Sequence, residues 1–253
     1  MTAQSLKLAG RVAIVTGAAR GIGRSIVQKL ANEGAQVIAN DLDAALLAEG
    51  VNKQTQQGLT VHALAGDITE QATAEALVST ALERYGDLHI IVNNAGYIWN
   101  SAAVKHTDEQ WQAMLDVHAT GPFRLLREAG HHFRQQASTD PPGKLRKVVN
   151  ISSISGIYGA ATQVAYSSAK AAVVGMTKTL AREWGRYHVT VNCVAFGYID
   201  TRLIEPFEDQ PNRVTIKGRD HPVGLTAAQR ESAREMAALG RLGRPEDAAN
   251  AVY

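Results

Sequence analysis

Short apolar runs near residues 12–16, 36–40, 60–65, 88–93, 146–151 and 189–195 alternate with stretches of helical period along the chain. Strand followed by helix, repeated, is the pattern of a parallel sheet covered on both faces, because each crossover helix must lie over the sheet it connects. The first run, VAIV, enters TGAARGIG and then GRSIVQKLANEG, so a helix starts in a glycine-rich turn and stops near Gly34. Between residues 135 and 147, QQASTDPPGKLRK breaks the periodicity and reads as a solvated loop. The segment 202–236 is rich in charge and proline; VTIKGRDHPVG within it reads as a small hairpin, and a helix is expected after Leu225. The last element is a helix begun by PEDAANAVY.

The 253 residues are 45% hydrophobic, enough for one substantial core, and no linker, repeat or low-complexity tract divides them; a single domain over 1–253 is expected. Net charge is +2 on 26 basic and 24 acidic residues, with no basic stripe, which argues against nucleic acid as a partner. The four-residue apolar run at the start fits neither a secretory signal nor a membrane span. Cys193, the single cysteine, cannot form an internal disulfide; inside VNCVAF it reads as a small buried residue in a cytoplasmic protein.

Tyr166 and Lys170 are four residues apart in AYSSAKAAVVGM, on the helix expected after the fifth strand, and helical period puts both on one face. Ser153, at the carboxyl end of that strand, precedes the tyrosine by thirteen residues. A phenol has a pKa near 10 and exchanges protons poorly at neutral pH unless its phenolate is stabilised, as an adjacent ammonium would do. A serine hydroxyl donating to the same substrate oxygen would fix its position. Ser167 and Lys170 also form S-x-x-K, but the companion S-D-N and K-T-G of that hydrolase class are absent. The adjacent His131 and His132 point about 100° apart on a helix and lack ligand partners at suitable spacing, so no metal site is expected. Trp99, Trp111 and Trp184 read as packing residues, with Trp99 placed to border a substrate cleft.

Gly17, Gly21 and Gly23 clear the way for backbone N–H groups and a helix N-terminus to face a pyrophosphate. Their spacing, G-x-x-x-G-x-G, departs from the common G-x-G-x-x-G. Asp41, at the end of the second strand and twenty-four residues after Gly17, is near the offset of an acid that bonds the adenosine ribose. Asp41 favours NAD over NADP because it would repel a 2′-phosphate; Arg20, inside the turn, would instead accept that phosphate.

With NNAG at Asn93–Gly96, GDIT at Gly66–Thr69 and GRLGRPEDAA at Gly240–Ala249 in the same order, the chain resembles the short-chain dehydrogenase/reductase family from residue 8 onward. The resemblance implies a Rossmann-type doubly wound sheet, an NAD(P) cofactor, and Ser153, Tyr166 and Lys170 as catalytic residues. It further implies that Gly17, Arg20, Gly21, Ile22 and Gly23 hold the cofactor and that Asp67 and Ile68 lie near the adenine. Asn93, Asn94, Ala95 and Gly96 would line the cleft, Lys170 would bond the nicotinamide ribose, and Ile199 and Thr201 would meet the carboxamide. The segment 202–236 would be a substrate lid, and the helices bearing residues 107–137 and 158–184 would build a homotetramer, or a homodimer.

Three departures stand out. His118 in DVHATGPF occupies the position of an asparagine that helps carry the proton from Lys170 to solvent; imidazole can serve as a relay there or simply pack. Phe196-Gly197 replaces Pro-Gly, and the ring is expected to border the nicotinamide. The sequence reaches Tyr253 without the family's seventh strand, an absence that would leave the sixth strand as an open edge. His118, the NDL after the second strand and SGIYG are similar to relatives acting on 3-oxoacyl or 3-hydroxyacyl thioesters of acyl carrier protein or coenzyme A. The expected reaction is therefore interconversion of a secondary alcohol and a ketone. Sugars, steroids and small alcohols are alternative substrates, and a dinucleotide-binding protein without turnover is the alternative to an enzyme.

Overall fold

The computed structural model describes residues 6–141 and 143–253. Six parallel strands form one sheet: β1 (Val12–Thr16), β2 (Gln36–Asp41), β3 (Val61–Ala65), β4 (Ile90–Asn93), β5 (Arg146–Ser153) and β6 (Val189–Phe196), in the order β3-β2-β1-β4-β5-β6. Each falls on one of the apolar runs, and β1 is buried along its whole length. Its alternate residues serve opposite faces. Val12 and Ile14 pack with the helices α3 (Gln71–Tyr85), α5 (Gly121–Gln136) and α7 (Val164–Trp184); Ala13 and Val15 pack with α1 (Gly21–Asn32), α2 (Ala44–Gln56) and α9 (Pro245–Val252). A strand with no solvent face is apolar throughout, which is why β1 showed no alternation of polar and apolar residues.

The chain runs outward from β1 to β3 and returns to β4 beside β1, so strand order reverses between β1 and β4. A crevice opens at such a reversal, above the carboxyl ends. Helix α4 (Asp108–Leu115) begins with a capping box between Thr107 and Gln110, and a five-residue π-helical turn, Asp116–Thr120, joins it to α5. The short helix α6 (Ile154–Tyr158) follows β5 directly, capped by Ser153.

Between β6 and α9 the chain forms a 3₁₀ turn at Arg202–Ile204, a two-residue parallel pair of β7 (Pro206–Phe207) with β10 (Leu225–Thr226), an antiparallel hairpin of β8 (Asn212–Ile216) and β9 (Arg219–Val223), and α8 (Ala227–Glu235). The hairpin is the one VTIKGRDHPVG suggests. Its turn places Lys217 at φ +50° and Gly218 at φ +76°, the paired left-handed conformations that match strand twist in a two-residue loop.

Two side chains and one loop differ from expectation. Cys193 is half-buried because β6 pairs only with β5 among the described residues. Trp111 is exposed on α4, whereas Trp184 packs edge-on to Phe133 in the core. The loop before β5 is pinned rather than free: Arg146, fully buried, pairs with Asp140 and Asp87, and Lys144 bonds both acids at 2.9 and 2.6 Å. Pro142 of that loop lies outside the described residues. No described helix is long and apolar enough to cross a membrane.

Candidate active site

One cavity of about 1190 Å³ opens at the carboxyl end of the sheet, and every candidate named above except Asn93 and Trp99 lines it, from Gly17 and Asp41 through Ser153, Tyr166 and Lys170 to Thr201. Gly17, at φ +66°, lies so close to the loop after β4 that an added Cβ would stand 2.7 Å from the Ala95 Cα. Only glycine lets the two loops meet there. Asn94 then fastens them: its side-chain amide donates to the Thr16 and Gly17 carbonyls at 2.9 and 3.1 Å, while the Thr16 hydroxyl accepts from the Asn94 and Ala95 amides. The NNAG motif thus shapes the glycine turn. Asn93 sits behind the cavity, 5% exposed, and donates to Asn150 at 2.8 Å, which in turn donates to Thr177.

Tyr166 and Lys170 occupy the first turns of α7, and β5 holds them from below. The Ser152 hydroxyl donates to the Lys170 carbonyl, and the Lys170 Nζ donates to the Ile151 carbonyl, both at 2.8 Å. Lys170 is 5% exposed, and burial pushes its pKa down to about 8. Its Nζ is 5.8 Å from the centroid of the Tyr166 ring. The expected lowering of the Tyr166 pKa by this ammonium is not what dominates: burial pushes the phenol up, and a hydrogen bond with Ser153 pulls it partly back. Tyr166 is therefore protonated at neutral pH, the form that donates. Ser153 also accepts from the Ser155 amide at 3.2 Å, which orients its hydroxyl.

His118 sits in the π-helical turn, 2% exposed, with its ring edge-on to Tyr166 at 5.0 Å. Its Nε2 is 2.7 Å from the Tyr97 carbonyl, so Nε2 carries the proton and Nδ1 is a bare acceptor, buried without a partner among the described residues. Burial, then the nearby positive Lys170, holds its pKa well below 6.5, against the Tyr97 bond, and the ring is neutral. Gly96 makes room for it: a Cβ there would stand 2.2 Å from the imidazole Cε1.

At the other end of the cavity both Asp41 oxygens are anchored, Oδ2 by the Ala19 amide at 2.9 Å and Oδ1 by the Asp43 amide at 3.0 Å. Asp67 accepts from Thr69 and from Lys217, whose Nζ reaches Oδ2 at 2.6 Å. These bonds outweigh burial and lower the Asp67 pKa. Lys217 is at the hairpin tip, so the 202–236 segment closes one side of the cavity. Next to it Arg219 pairs with Glu109, and His221, 2% exposed, packs between Tyr97 and Trp99 at 5.0 and 4.5 Å. Phe196 and Gly197 line the cavity. Sequence reasoning passed over Asp43, Lys217, His221 and Asn94's clamp; the D-x-D of residues 41–43 was a visible signal for the first.

The residues fit a dinucleotide: a glycine turn held open by close packing, the first amides of a twelve-residue helix facing the cavity, and an anchored acid at the end of β2. The family model described as short chain dehydrogenase matches residues 11–212. Among curated proteins, the 3-oxoacyl-[acyl-carrier-protein] reductase FabG of Thermotoga maritima is 31% identical over 98% of this chain and 90% of its own length. The hydroxyacyl-CoA dehydrogenase ChsB1 of Mycobacterium tuberculosis is 38% identical over 76% of this chain and 62% of its own. The L-fucose dehydrogenase of Mus musculus is 34% identical over 98% and 82%.

Proposed function

The chain belongs to the short-chain dehydrogenase family, an NAD(P)-dependent oxidoreductase acting on CH–OH groups, and from this premise we propose that it interconverts a 3-hydroxyacyl thioester and its 3-oxo form using NAD(H). The observation that carries the reading is the convergence of Ser153, Tyr166 and Lys170 at one end of a cavity whose other end holds the glycine turn and Asp41. A reduced nicotinamide dinucleotide held by the glycine turn and Asp41 would supply a hydride for the carbonyl carbon. Tyr166 gives its phenolic proton to the carbonyl oxygen as the new C–H bond forms, leaving an alcohol and a phenolate. Ser153 donates to the same oxygen and holds it against Tyr166. Lys170, fixed by the Ile151 carbonyl, presents a positive charge to the phenolate and assists its reprotonation. The bare Nδ1 of His118 accepts from a donor in that return path. Oxidation of the alcohol runs these proton movements in reverse.

The thioester class is supported by two relatives of that chemistry over most of the chain and by the resemblance at His118 and SGIYG. NAD is favoured by Asp41, whose anchored carboxylate suits a free ribose hydroxyl and repels a phosphate. The segment 202–236 acts as the lid. A homotetramer built on α4–α5 and α7 is supported by the exposed Trp111 and Phe123, and light scattering tests it. The deciding experiment is loss of reduced-nicotinamide absorbance with 3-oxoacyl-CoA, 3-oxoacyl carrier protein, simple ketones and oxidised sugars. Turnover with a 3-oxoacyl thioester and NADH is expected; turnover restricted to sugars or simple ketones rejects the thioester reading.

A further inference from the structure

The glycine turn and the end of β2 meet at a cluster of opposite charges. The guanidinium of Arg20, the residue that caps α1, donates to the Oδ2 of Asp43. The other Asp43 oxygen accepts the Leu46 amide at 3.1 Å and so caps α2, while the Asp43 amide holds Asp41. Asp43 is thus fixed from three directions, and a fixed carboxylate fixes the arginine. Arg20, Asp41 and Asp43 all line the cavity, at the end where the reading above places the adenosine ribose.

A second guanidinium, Arg202, also lines this end and makes no ion pair among the described residues. Burial lowers its pKa, the positive Arg20 adds to this, and Glu205, Asp43 and Asp41 oppose it, so these five groups share one neighbourhood. Three carboxylates face two guanidiniums there. An anionic 2′-phosphate entering this rim meets two acids at the end of β2 and an Arg20 already engaged, with Arg202 the one guanidinium left to it, itself among those same acids.

We propose that Asp43 is a specificity-determining residue for the cofactor: by holding Arg20 in an ion pair it withdraws the cation that would otherwise receive a 2′-phosphate, and so makes the site select NAD(H). Asp43 acts through Arg20 and is a positioning residue, whereas Asp41 meets the ribose itself. The inference rests on the dehydrogenase reading of the site. It resolves the opposition between Asp41 and Arg20 by a third residue twenty-three positions from the arginine.

The test is titration of the purified full chain with NADH and NADPH, read by nicotinamide fluorescence, for the native chain, Asp43→Asn, Arg20→Ala and the double variant. Asparagine keeps an oxygen for the Leu46 amide and removes the charge, so the α2 cap survives. The native chain is expected to prefer NADH. Asp43→Asn should tighten NADPH about tenfold, the order of one charge contact at a partly exposed rim, and leave NADH within about threefold. Arg20→Ala in the same chain should abolish the gain. Asp43→Ser, which also retains a cap, should shift the ratio in the same direction. An unchanged NADPH-to-NADH ratio in both Asp43 variants overturns the proposal, as does a gain that persists without Arg20, or a native preference for NADPH. Failure of the native chain to bind either dinucleotide overturns both this proposal and the dehydrogenase reading, whereas native NADH binding with an unmoved ratio overturns the Asp43 proposal alone.

Discussion

Two polar clusters lie at opposite ends of β4 and β5. At the amino end the Asp87 carboxylate meets Arg146, Lys144, His132 and His89, and Asp140 binds Arg146 and Lys144 as well. Arg146 donates also to the Leu88 carbonyl, and the His89 Nδ1 accepts from the Val12 amide. At the carboxyl end Ser153, Tyr166, Lys170 and His118 are as deeply set, yet the His118 Nδ1 has no partner among the described residues, and Lys170 touches a carbonyl rather than a carboxylate. The first cluster compensates the cost of burying charge. The second leaves groups in the protonation states that acid–base chemistry needs. Both sit on the same rigid strands, so the difference lies in what was left unpaired.

Substitutions at the two ends should separate activity from stability. Tyr166→Phe is expected to lower kcat by about 10²–10⁴-fold, the usual worth of a positioned general acid, while NADH affinity and the urea midpoint hold; steady-state kinetics and denaturation check the two halves. Arg146→Met should do the converse. Taking the buried guanidinium from Asp87 and Asp140, which keep Lys144, costs about 3 kcal/mol in urea unfolding, and the folded enzyme should keep its turnover.

Acid should act on the amino-end cluster through His89. Burial, opposed by Asp87, lowers its folded pKa to about 4 from an ordinary 6.5, so the unfolded chain binds the extra proton first. Stability contributed by this group is full above pH 6.5 and falls as pH drops toward 4. Asp87, held far below its ordinary 3.8, adds a loss only at lower pH. The urea midpoint should therefore fall between pH 7 and 5, and His89→Gln, which retains an acceptor for the Val12 amide, should flatten that slope. His118 carries the same sign, so some slope should remain. The smallest effect belongs to Lys217→Ala. Its ion pair with Asp67 is half exposed, and its loss should weaken NADH binding by about threefold with no change in kcat, as expected for a contact worth under about 1 kcal/mol.

The six strands could be read from the chain because strands buried on both faces are short apolar runs bounded by glycine and polar residues, and that signal is local. The Tyr166–Lys170 pairing could be read for the same reason, since helical period fixes i and i+4 without knowledge of the fold. The hairpin around Lys217-Gly218 carried its own turn chemistry. The Asp140 and Lys144 contacts escaped notice, because a polar loop looks solvated until a buried arginine is found beneath it.

Local order alone therefore decided the α/β class, the position of the six strands of the parallel sheet, the glycine turn at Gly17–Gly23 and the common face of Tyr166 and Lys170. Tertiary structure decided which carboxylate Arg20 meets, that Lys217 reaches Thr69 across 148 residues, that His221 packs on Tyr97 and Trp99, and that Asn93 turns away from the cavity while Asn94 clamps it. The reason is range. Backbone period and turn geometry act over a few residues and are written in the order of side chains, whereas ion pairs and burial depend on which distant segments the sheet brings within a few ångströms.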